Sequence, residues 1–540
     1  MSHRAFASRL PLSEADAREQ GLREALAAFL LVAQQAADPS AATRRAVREA
    51  LRDPASPLHS ARRLRVLAAG KASLAMYRAA CNELDHFRAI DASLVIGPPE
   101  LIEPHTRAQA TPEPGASSSA VGPTRSSEPT RAEFLAADHP RSTLRNVAVA
   151  SQAAAFVDQV EQGDLLLALI SGGASAHLAL PAPGLTIDDL DEAYAALRDS
   201  GATIAELNAV RKHCELLKGG RLAARCHGQT LALILSDVMG DPLDVISSGL
   251  TAPDPTTFAD ARRVLRQRGV EDRALKVVQH VERHINRISN ASFNTPRTNT
   301  ASRLTSTPPT SPDPPEFLDE TPKPGDPRFA RVDNRVIASN RVIVDALEAH
   351  ARTTGWNVTT RLDAVEGEAG EVGRSLARQI TIAAQAAGSA KPRLCCVLGG
   401  EPTVDLHRYH APHPPRTHST GVRAQGGPSQ EFALATAVAL DAIPRTDIQN
   451  NETAQPAPEV AWALLAYSTD GVDGSSANAG AIVTSTSLRR ARVLGADPAQ
   501  ALANHDSATL FEVLGDQIRT GPTGTNMNHI AVALIISPSE

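Results

Sequence analysis

The 540-residue chain is short of aromatic residues, of cysteines and of long apolar runs. Aromatic side chains make up 3% of it, so alanine, leucine and valine must fill the core. Five cysteines in a chain of this length are too few for a disulfide framework, which fits a reducing compartment. Since no apolar run approaches the roughly 18 residues of a membrane helix, we expect no membrane partner.

The chain also lacks an excess of basic charge, because its formal net charge is -6. Such a chain presents no basic field for nucleic acid, so we expect none as a partner. The first 20 residues lack the apolar core of a secretory signal, and the expected location is the cytoplasm. Residues 1–10 leave a short organellar presequence as the alternative. The sequence leaves the oligomeric state open, a homodimer included.

Strand-like apolar runs alternate with helical patterns along most of the chain. This alternation is typical of βαβ units and predicts an α/β fold with largely parallel sheets. The chain is too long for a single hydrophobic core, which favours two domains. Predicted strands are 64–69, 93–96, 165–170 and 231–235, and predicted helices are 13–36, 39–52, 143–160, 204–224, 341–353 and 369–387.

Three stretches rich in Pro, Thr, Ser or His break this pattern. These stretches are residues 104–132, 290–327 and 407–425. They show neither helical nor strand periodicity, and we interpret them as flexible loops. The second stretch marks a domain boundary. We therefore predict an N-terminal domain at 12–284, a disordered insert at 285–330 and a C-terminal domain at 331–540.

Six apolar runs end in a small-residue turn that carries charged or hydroxyl side chains. Because open α/β sheets bind ligands beyond the carboxyl ends of their strands, these turns predict a site for a small anionic substrate. The candidate side chains in them are Lys71, Ser171, Ser175, Asp237, Glu401, Asp470 and Asp473.

The turn at Lys71 is not a P-loop, because Arg65 stands where that motif needs glycine and Ala72 follows the lysine. A lysine that opens a helix still favours an anion, although an exposed lysine at a helix start is the simpler alternative. Gly172 and Gly173 similarly predict a phosphate cradle, or a turn needed only for tight packing.

The predicted helix 204–224 places Asn208, Arg211, Lys212 and Glu215 on one face, which suits a carboxylate or a phosphate. An exposed, salt-bridged surface is the alternative. Asp237 could bind Mg²⁺ or accept a hydroxyl proton, and Asp470 and Asp473 repeat its arrangement. For Asp470 an ordinary Asx-turn is the simpler interpretation.

Eight segments together resemble the MOFRL-type glycerate kinases (class II glycerate 2-kinases), in the order known for that family. They are AAGKAS, ISGGASA, ELNAVRKHCELLKGGRLA, ILSDVMGDPLDVISSGLTAPDPTT, LGGEPTV, GGPSQEFALA, STDGVDGSSANAGAIV and GPTGTNMNHIAV. Two segments depart from the family pattern. Pro428 and Ser429 replace an Arg-Asn pair, and residues 138–142 (DHPRS) replace part of a GHPVPD motif.

The resemblance implies ATP-dependent phosphorylation of D-glycerate, most often at the 2-hydroxyl, with Mg²⁺. It also implies a Rossmann-like N-terminal domain, a MOFRL module from about residue 391, and a site in the cleft between the domains. By motif, Lys71, Arg211 and Asp237 would be catalytic, and Asp470 and Asp473 would bind the metal. Substrate and nucleotide contacts would come from Ser171, Gly172, Gly173, Ser175, Asn208, Lys212, Glu401, Thr525 and Asn526.

The main alternative from the sequence is an NAD(P)H-dependent hydroxypyruvate reductase. Its nucleotide site would need G-x-G-x-x-G after a strand, and no G-x-G triplet occurs in the chain. The second alternative is a non-catalytic α/β protein that binds an organic acid. Lys71, the glycine-rich segment and the strand-end acids favour an enzyme over it.

Overall fold

The structure, a computed structural model, describes residues 14–110, 132–293, 319–387, 393–405, 425–442 and 460–536. The presequence alternative at residues 1–10, the first residue of the predicted helix 13–36, and most of the three predicted loops lie outside these ranges. Across the described residues, no helix combines the length and the apolarity needed to cross a membrane.

Twelve strands and eighteen α-helices, numbered in chain order, form among the described residues. The first half holds α1 (Glu14–Ala37), α2 (Pro39–Arg52), α3 (Pro57–Ser60), β1 (Leu64–Ala69), α4 (Ser73–Leu84), β2 (Ala92–Gly97), α5 (Pro99–Ala110), β3 (Ala132–Ala136), α6 (Leu144–Asp158), β4 (Leu165–Ile170), α7 (Ala174–His177), α8 (Ile187–Asp199), α9 (Ile204–Cys214), α10 (Arg221–Arg225), β5 (Gln229–Leu235), α11 (Phe258–Gln267) and α12 (Leu275–Phe293). The second half holds β6 (Val332–Ala338), α13 (Asn340–Thr353), β7 (Asn357–Glu368), α14 (Ala369–Ala387), β8 (Arg393–Thr403), α15 (Pro428–Asp441), β9 (Ala461–Ser468), β10 (Gly480–Thr484), α16 (Ser487–Val493), α17 (Pro498–Ala503), α18 (Ser507–Leu514), β11 (Gln517–Ile518) and β12 (His529–Ile536).

The described residues form two compact units, each with its own sheet. The central unit is Pro39–Ile337, and the terminal unit combines residues before 39 with those from 338 onward. These boundaries differ from the predicted ones at both ends. Helix α1 packs in the terminal unit, where Phe29 meets His350 edge-on and Arg23 pairs with Asp516 at 3.0 Å. Strand β6 belongs to the first sheet.

The first sheet has the strand order β3-β2-β1-β4-β5-β6 and is parallel in every pairing among β1 to β5. Its central strands are almost entirely buried, because helices cover both faces, and this explains their continuous apolar sequences. The chain runs outward from β1 to β2 and β3 and then returns to the other side of β1. The strand order therefore reverses between β1 and β4, where open α/β sheets bind ligands.

The second sheet, β11-β10-β9-β12-β8-β7, is mostly antiparallel, which corrects the expectation of largely parallel sheets. Only β7 and β8 pair in parallel. Strands β9 and β12 are buried on both faces, so they show the continuous apolar pattern of a parallel strand without being one. The α/β class with two sheets is confirmed.

Two of the predicted loops begin or end in ordered structure. Helix α5 continues through Pro104 to Ala110, where we predicted a loop. Residues 319–327 are also ordered against the rest of the central unit, since Thr321 Oγ1 donates to Asp254 Oδ2 at 2.9 Å and Asp254 N–H donates to Pro322 O at 2.8 Å. The polar composition of this segment did not predict these contacts, because they are hydrogen bonds and do not depend on buried apolar side chains.

Candidate functional site

Lys71 lies in the turn between β1 and α4, at the point where the strand order reverses. Gly70 has φ +120°, and a Cβ there would lie 2.3 Å from Ser171 Oγ, so the turn requires glycine. The Lys71 N–H donates to Gly172 O at 2.9 Å, and the Ala72 N–H donates to Ser171 Oγ at 3.0 Å. These bonds join the Lys71 turn to the glycine-rich loop (residues 171–175) that follows β4.

The two glycines of that loop allow three charged or polar side chains to approach its backbone. A Cβ on Gly172 would lie 2.4 Å from Asp237 Oδ2. Gly173 has φ +89°, and a Cβ there would lie 3.2 Å from both Lys71 Cγ and His139 Cδ2. The loop is therefore a cradle, with a carboxylate against one glycine and a lysine and an imidazole against the other.

Asp237 follows β5 and is half-buried at this edge of the sheet. Burial raises the pKa of its carboxyl group above the ordinary value, while the positive charge of Lys71 acts in the opposite direction. Charges of both signs thus interact across the glycine-rich loop. An anion that is bound beside Lys71 and carries a hydroxyl group could therefore donate a hydrogen bond to the Asp237 carboxylate.

A strained segment, residues 241–249, holds the cradle from a third side. Asp241, Ser247 and Ser248 adopt φ values of 55°, 50° and 57°, which non-glycine residues seldom do. Ser248 Oγ lies 2.7 Å from Ser175 Oγ and donates to Asn208 Oδ1 at 2.9 Å. Such strain persists only where surrounding contacts enforce it, and it concentrates at functional sites.

The predicted helix 204–224 is interrupted, which corrects the proposed polar face. Helix α9 ends at Cys214, and Glu215 is extended and forms an isolated bridge with Pro181. Gly219 and Gly220 then adopt positive φ before α10. The apolar periodicity of the sequence continues across this break, so the periodicity could not reveal where the helix ends. Glu215 therefore does not share a face with Asn208.

The two cations of α9 both contact side chains of the protein, Lys212 as a buried residue and Arg211 as a half-buried one. Lys212 is buried and pairs with Asp244 at 3.0 Å and Asp254 at 3.2 Å. The Arg211 guanidinium lies over the Tyr194 ring, 5.0 Å from its centroid. Both side chains are thus engaged with protein groups, and Asn208 and Lys212 are the members of the predicted set that reach the strained segment.

Lys218 is a buried residue of this site that the sequence analysis missed. Its ammonium group donates to Ser175 O at 2.7 Å and pairs with Glu215 at 2.6 Å. The Tyr194 hydroxyl donates to the same carboxylate at 2.9 Å. Burial lowers the pKa of Lys218, and the charge of Glu215 opposes that shift. Lys218 therefore supports the glycine-rich loop through its bond to Ser175. The Gly219-Gly220 pair that follows it is the one local feature of the sequence that could have indicated a break in the helix here.

Replacing Glu215 by glutamine should lower the free energy of unfolding by about 3–5 kcal/mol, because it leaves the Lys218 charge buried without its partner. Urea denaturation followed by circular dichroism measures this free energy. Tryptophan fluorescence would not report on the central unit, because Trp356 and Trp462 both lie in the terminal unit. Combining E215Q with K218M should recover part of the loss. The pair between the exposed Lys276 and the partly buried Asp189 supplies the control, since K276M removes the exposed partner and should cost less than about 1 kcal/mol. A similarly small cost for E215Q would contradict the buried-pair account.

In the terminal unit, the register of the second sheet gathers the remaining candidates at one edge. His529 at the start of β12 pairs with Gly400 on β8 and with Ser468 at the end of β9. The segments that follow or precede these residues carry Glu401, Asp470, Asp473, Thr525 and Asn526.

Asp473 is completely buried and acts as the cap of helix α15. Its two carboxylate oxygens accept hydrogen bonds from Ser429 N–H at 2.9 Å, Gln430 N–H at 2.8 Å and Gln430 Nε2 at 3.0 Å. These donors already satisfy the charge that a metal ion would neutralise. Metal binding by Asp473 stays a prediction that would compete with this cap.

Asp470 forms the Asx-turn that we gave as its simpler interpretation. Its Oδ1 accepts from the Val472 N–H at 3.0 Å and from Ser468 Oγ at 2.7 Å. The side chain is half-buried, beside the buried cap Asp473. Of the two predicted metal ligands, Asp470 is therefore the one placed where a ligand could reach it.

Thr525 and Asn526 lie in a loop held by Thr469. Thr523 Oγ1 donates to Thr469 O at 2.6 Å, and Met527 N–H donates to Thr469 Oγ1 at 2.7 Å. Asn526 Oδ1 accepts from the Asn528 N–H at 3.0 Å, so it shapes its own turn. Glu401 is exposed within β8 rather than after it.

The segment that departs from the resembling family, residues 426–431, packs directly on the Asp473 turn. A Cβ on Gly427 would lie 2.2 Å from the carbonyl carbon of Asp473. Ser429, which replaces an asparagine of the family pattern, lies with its Oγ 2.7 Å from His529 Nδ1. Glu431 pairs with His505 at 2.9 Å. This chain thus closes the turn with a serine–histidine contact.

Comparison with known proteins relates both units to one family. Residues 25–285 match a domain of unknown function (DUF4147), and residues 394–529 match the MOFRL family. A Pyrococcus horikoshii protein named glycerate 2-kinase is 31% identical over 407 residues, which span 75% of this chain and 79% of that protein. This chain belongs to the MOFRL-type glycerate kinase family.

A crystal structure of glycerate kinase from Thermotoga maritima has the same fold, with a TM-score of 0.68 and 27% identity over 96% of this chain and 100% of that one. An Agrobacterium vitis protein with the provisional name hydroxypyruvate reductase is 34% identical over 410 residues, 75% of this chain and 78% of its own. The predicted resemblance to the glycerate kinases is confirmed.

For a glycerate kinase, Mg²⁺ would arrive as a complex with ATP. Within the ranges that the structure covers, no three His, Cys, Asp or Glu side chains come together as a possible metal centre. Mg²⁺ commonly keeps several waters and binds through one or two carboxylates together with substrate phosphates. Asp470 fits that pattern as a single carboxylate ligand.

Proposed function

We propose that this chain transfers the γ-phosphoryl group of ATP to the 2-hydroxyl of D-glycerate. The observation that carries the proposal is the cradle at the reversal of strand order, where Lys71, Asp237 and the glycine-rich loop meet. A cation, a carboxylate and a close backbone suit a small substrate that carries both a carboxylate and hydroxyl groups. Glycerate has one carboxylate and two hydroxyls.

Phosphoryl transfer needs positioning and neutralised oxygens rather than a covalent nucleophile. Lys71 would neutralise a carboxylate or phosphate oxygen beside Gly173. Asp237 would accept a hydrogen bond from a hydroxyl of glycerate. Asn208 and Ser175, joined through Ser248, would keep the loop in place.

Arg211 and Lys212 contribute differently from the sequence-based assignment. Their contacts with Tyr194, Asp244 and Asp254 leave them as supports of α9. In the terminal unit, Asp470 would contact Mg²⁺ of the ATP complex, and Thr525, Asn526 and Glu401 are proposed contacts of the nucleotide. Asp473 is better explained as the cap that orders α15.

A product-resolved assay tests the proposal. Purified full-length protein, ATP, Mg²⁺ and D-glycerate are incubated, and the product is offered to enolase with and without phosphoglycerate mutase. We expect ADP release that requires glycerate, and a product that enolase consumes without mutase. A product that requires mutase would overturn the 2-hydroxyl assignment. Oxidation of NADH with hydroxypyruvate, and no ADP release, would instead support a reductase.

A further inference from the structure

His139 projects from the loop after β3, at the same edge of the central sheet as Lys71 and Asp237. The loop is held firmly at its start. Ala137 N–H donates to Gly97 O at 2.9 Å, and Asn146 Nδ2 donates to Asp138 O at 2.8 Å. Thr143 Oγ1 also donates to Asp138 Oδ2 at 2.5 Å. The backbone that carries the imidazole is therefore fixed on the sheet.

The same loop is tied to the helix that follows the glycine-rich loop. Ser142 Oγ and Asn146 Nδ2 both donate to Ala176 O, at 3.0 Å and 2.8 Å. Ala176 lies in α7, directly after the cradle. His139 is thus positioned relative to Gly173 by hydrogen bonds that do not involve its own ring.

The ring presents its Cδ2–Nε2 edge to the cradle. A Cβ on Gly173 would lie 3.2 Å from His139 Cδ2 and 3.6 Å from Nε2, and 3.2 Å from Lys71 Cγ. Lys71 and His139 therefore share the space that the missing side chain of Gly173 leaves. The His139 side chain is also exposed, so a substrate can reach it.

The surroundings of the ring lower the pKa of His139, which favours the neutral imidazole. Partial burial and the positive charge of Lys71 lower the pKa of His139, and Glu100 raises it in opposition. His177, buried behind it with ring centroids 6.0 Å apart, has its pKa lowered to about 4 and is neutral too. Asp138, the neighbour in the chain, is engaged by Thr143.

We propose that His139 is a catalytic residue that accepts the proton of the attacking glycerate hydroxyl; this inference rests on the proposed function. As the oxygen of that hydroxyl bonds to the γ-phosphorus, its proton passes to the imidazole. The bond from the γ-phosphorus to the bridging oxygen breaks, and ADP leaves with the electron pair. Asp237, which lies against Gly172, accepts a hydrogen bond from the hydroxyl that does not react.

An imidazole suits this role better than a carboxylate, because its pKa lies nearer to the working pH. The protonated ring cannot accept a proton, so activity should fall as the pH decreases through the His139 pKa. Because kcat/KM reports the free enzyme, its acid limb should appear below pH 6.5, the ordinary value for histidine.

The test compares pH profiles of the full-length wild type, H139N and D237N, with ATP and D-glycerate. We expect H139N to lose roughly 100-fold in kcat and to lose the acid limb of kcat/KM. The control is H86N, because His86 is exposed and follows α4, which leads to the opposite edge of the sheet. H86N should match the wild type in both respects.

Chemical rescue separates proton transfer from positioning. Added imidazole should restore part of the activity of H139A, with a dependence on the fraction of free base. An H139N profile that keeps its acid limb, an acid limb lost in D237N instead, or absence of rescue would each overturn the role of His139. Lack of glycerate-dependent ADP release by the wild type would overturn the proposed function itself, so the two failures are distinguishable.

Discussion

Replacing Lys71 by alanine should reduce kcat with ATP and glycerate by two orders of magnitude or more. Arg211 and Lys212 are committed to Tyr194, Asp244 and Asp254, so they cannot substitute for the lost charge. The backbone bond from residue 71 to Gly172 O survives the substitution. The loss should therefore appear in turnover and not in folding.

The measurement is a steady-state assay combined with a thermal melt of the same protein. K276A is the matched control, because Lys276 is an exposed lysine of the same unit that pairs with Asp189. It should retain wild-type kcat. If K71A kept more than about a tenth of the activity, or if its melting temperature fell by many degrees, Lys71 would be an exposed or structural lysine instead.

The sequence predicted the strands of the central sheet well because they are buried on both faces. The bounds of β1 and β4 were predicted to the residue. In the terminal unit the same apolar pattern misled, since the antiparallel strands β9 and β12 are also covered on both faces. Periodicity reports burial, and burial does not reveal strand direction.

Charged residues on α9 were harder to assign. A lysine that faces a ligand and a lysine paired in the interior look identical in sequence, and Lys212 proved to be of the second kind. Its partners Asp244 and Asp254 lie more than thirty residues away, so spacing within the helix could not reveal them. The same holds for Lys218, whose contact with Ser175 spans 43 residues.

The cradle itself could be predicted only in part. Lys71, the glycine-rich loop and Asp237 each end a strand, so parallel topology was enough to place them together. His139 also follows a strand, but β3 is short and only partly buried, and its apolar pattern is too weak to mark it as a strand. The strain at Ser247 and Ser248 has no signature in the sequence, because serine is not selected for positive φ.

Replacing Gly172 by alanine should lower kcat by roughly 10- to 100-fold, because displacing a catalytic group by about 1 Å can cost that much. The new Cβ would fall 2.4 Å from Asp237 Oδ2. Since that atom belongs to a side chain and not to the backbone, the carboxylate should move and the backbone should not. The free energy of unfolding should therefore change by less than about 1 kcal/mol.

A double-mutant cycle shows whether Asp237 carries the effect. In a D237A background no carboxylate remains to be displaced, so adding G172A should cost little further activity. G21A is the control, because a Cβ at Gly21 in α1 meets no atom within 4 Å; it should leave kcat unchanged. Losses that add in the double variant would mean that the methyl group obstructs the substrate directly, and the assignment of Asp237 to the hydroxyl would then lose its geometric basis.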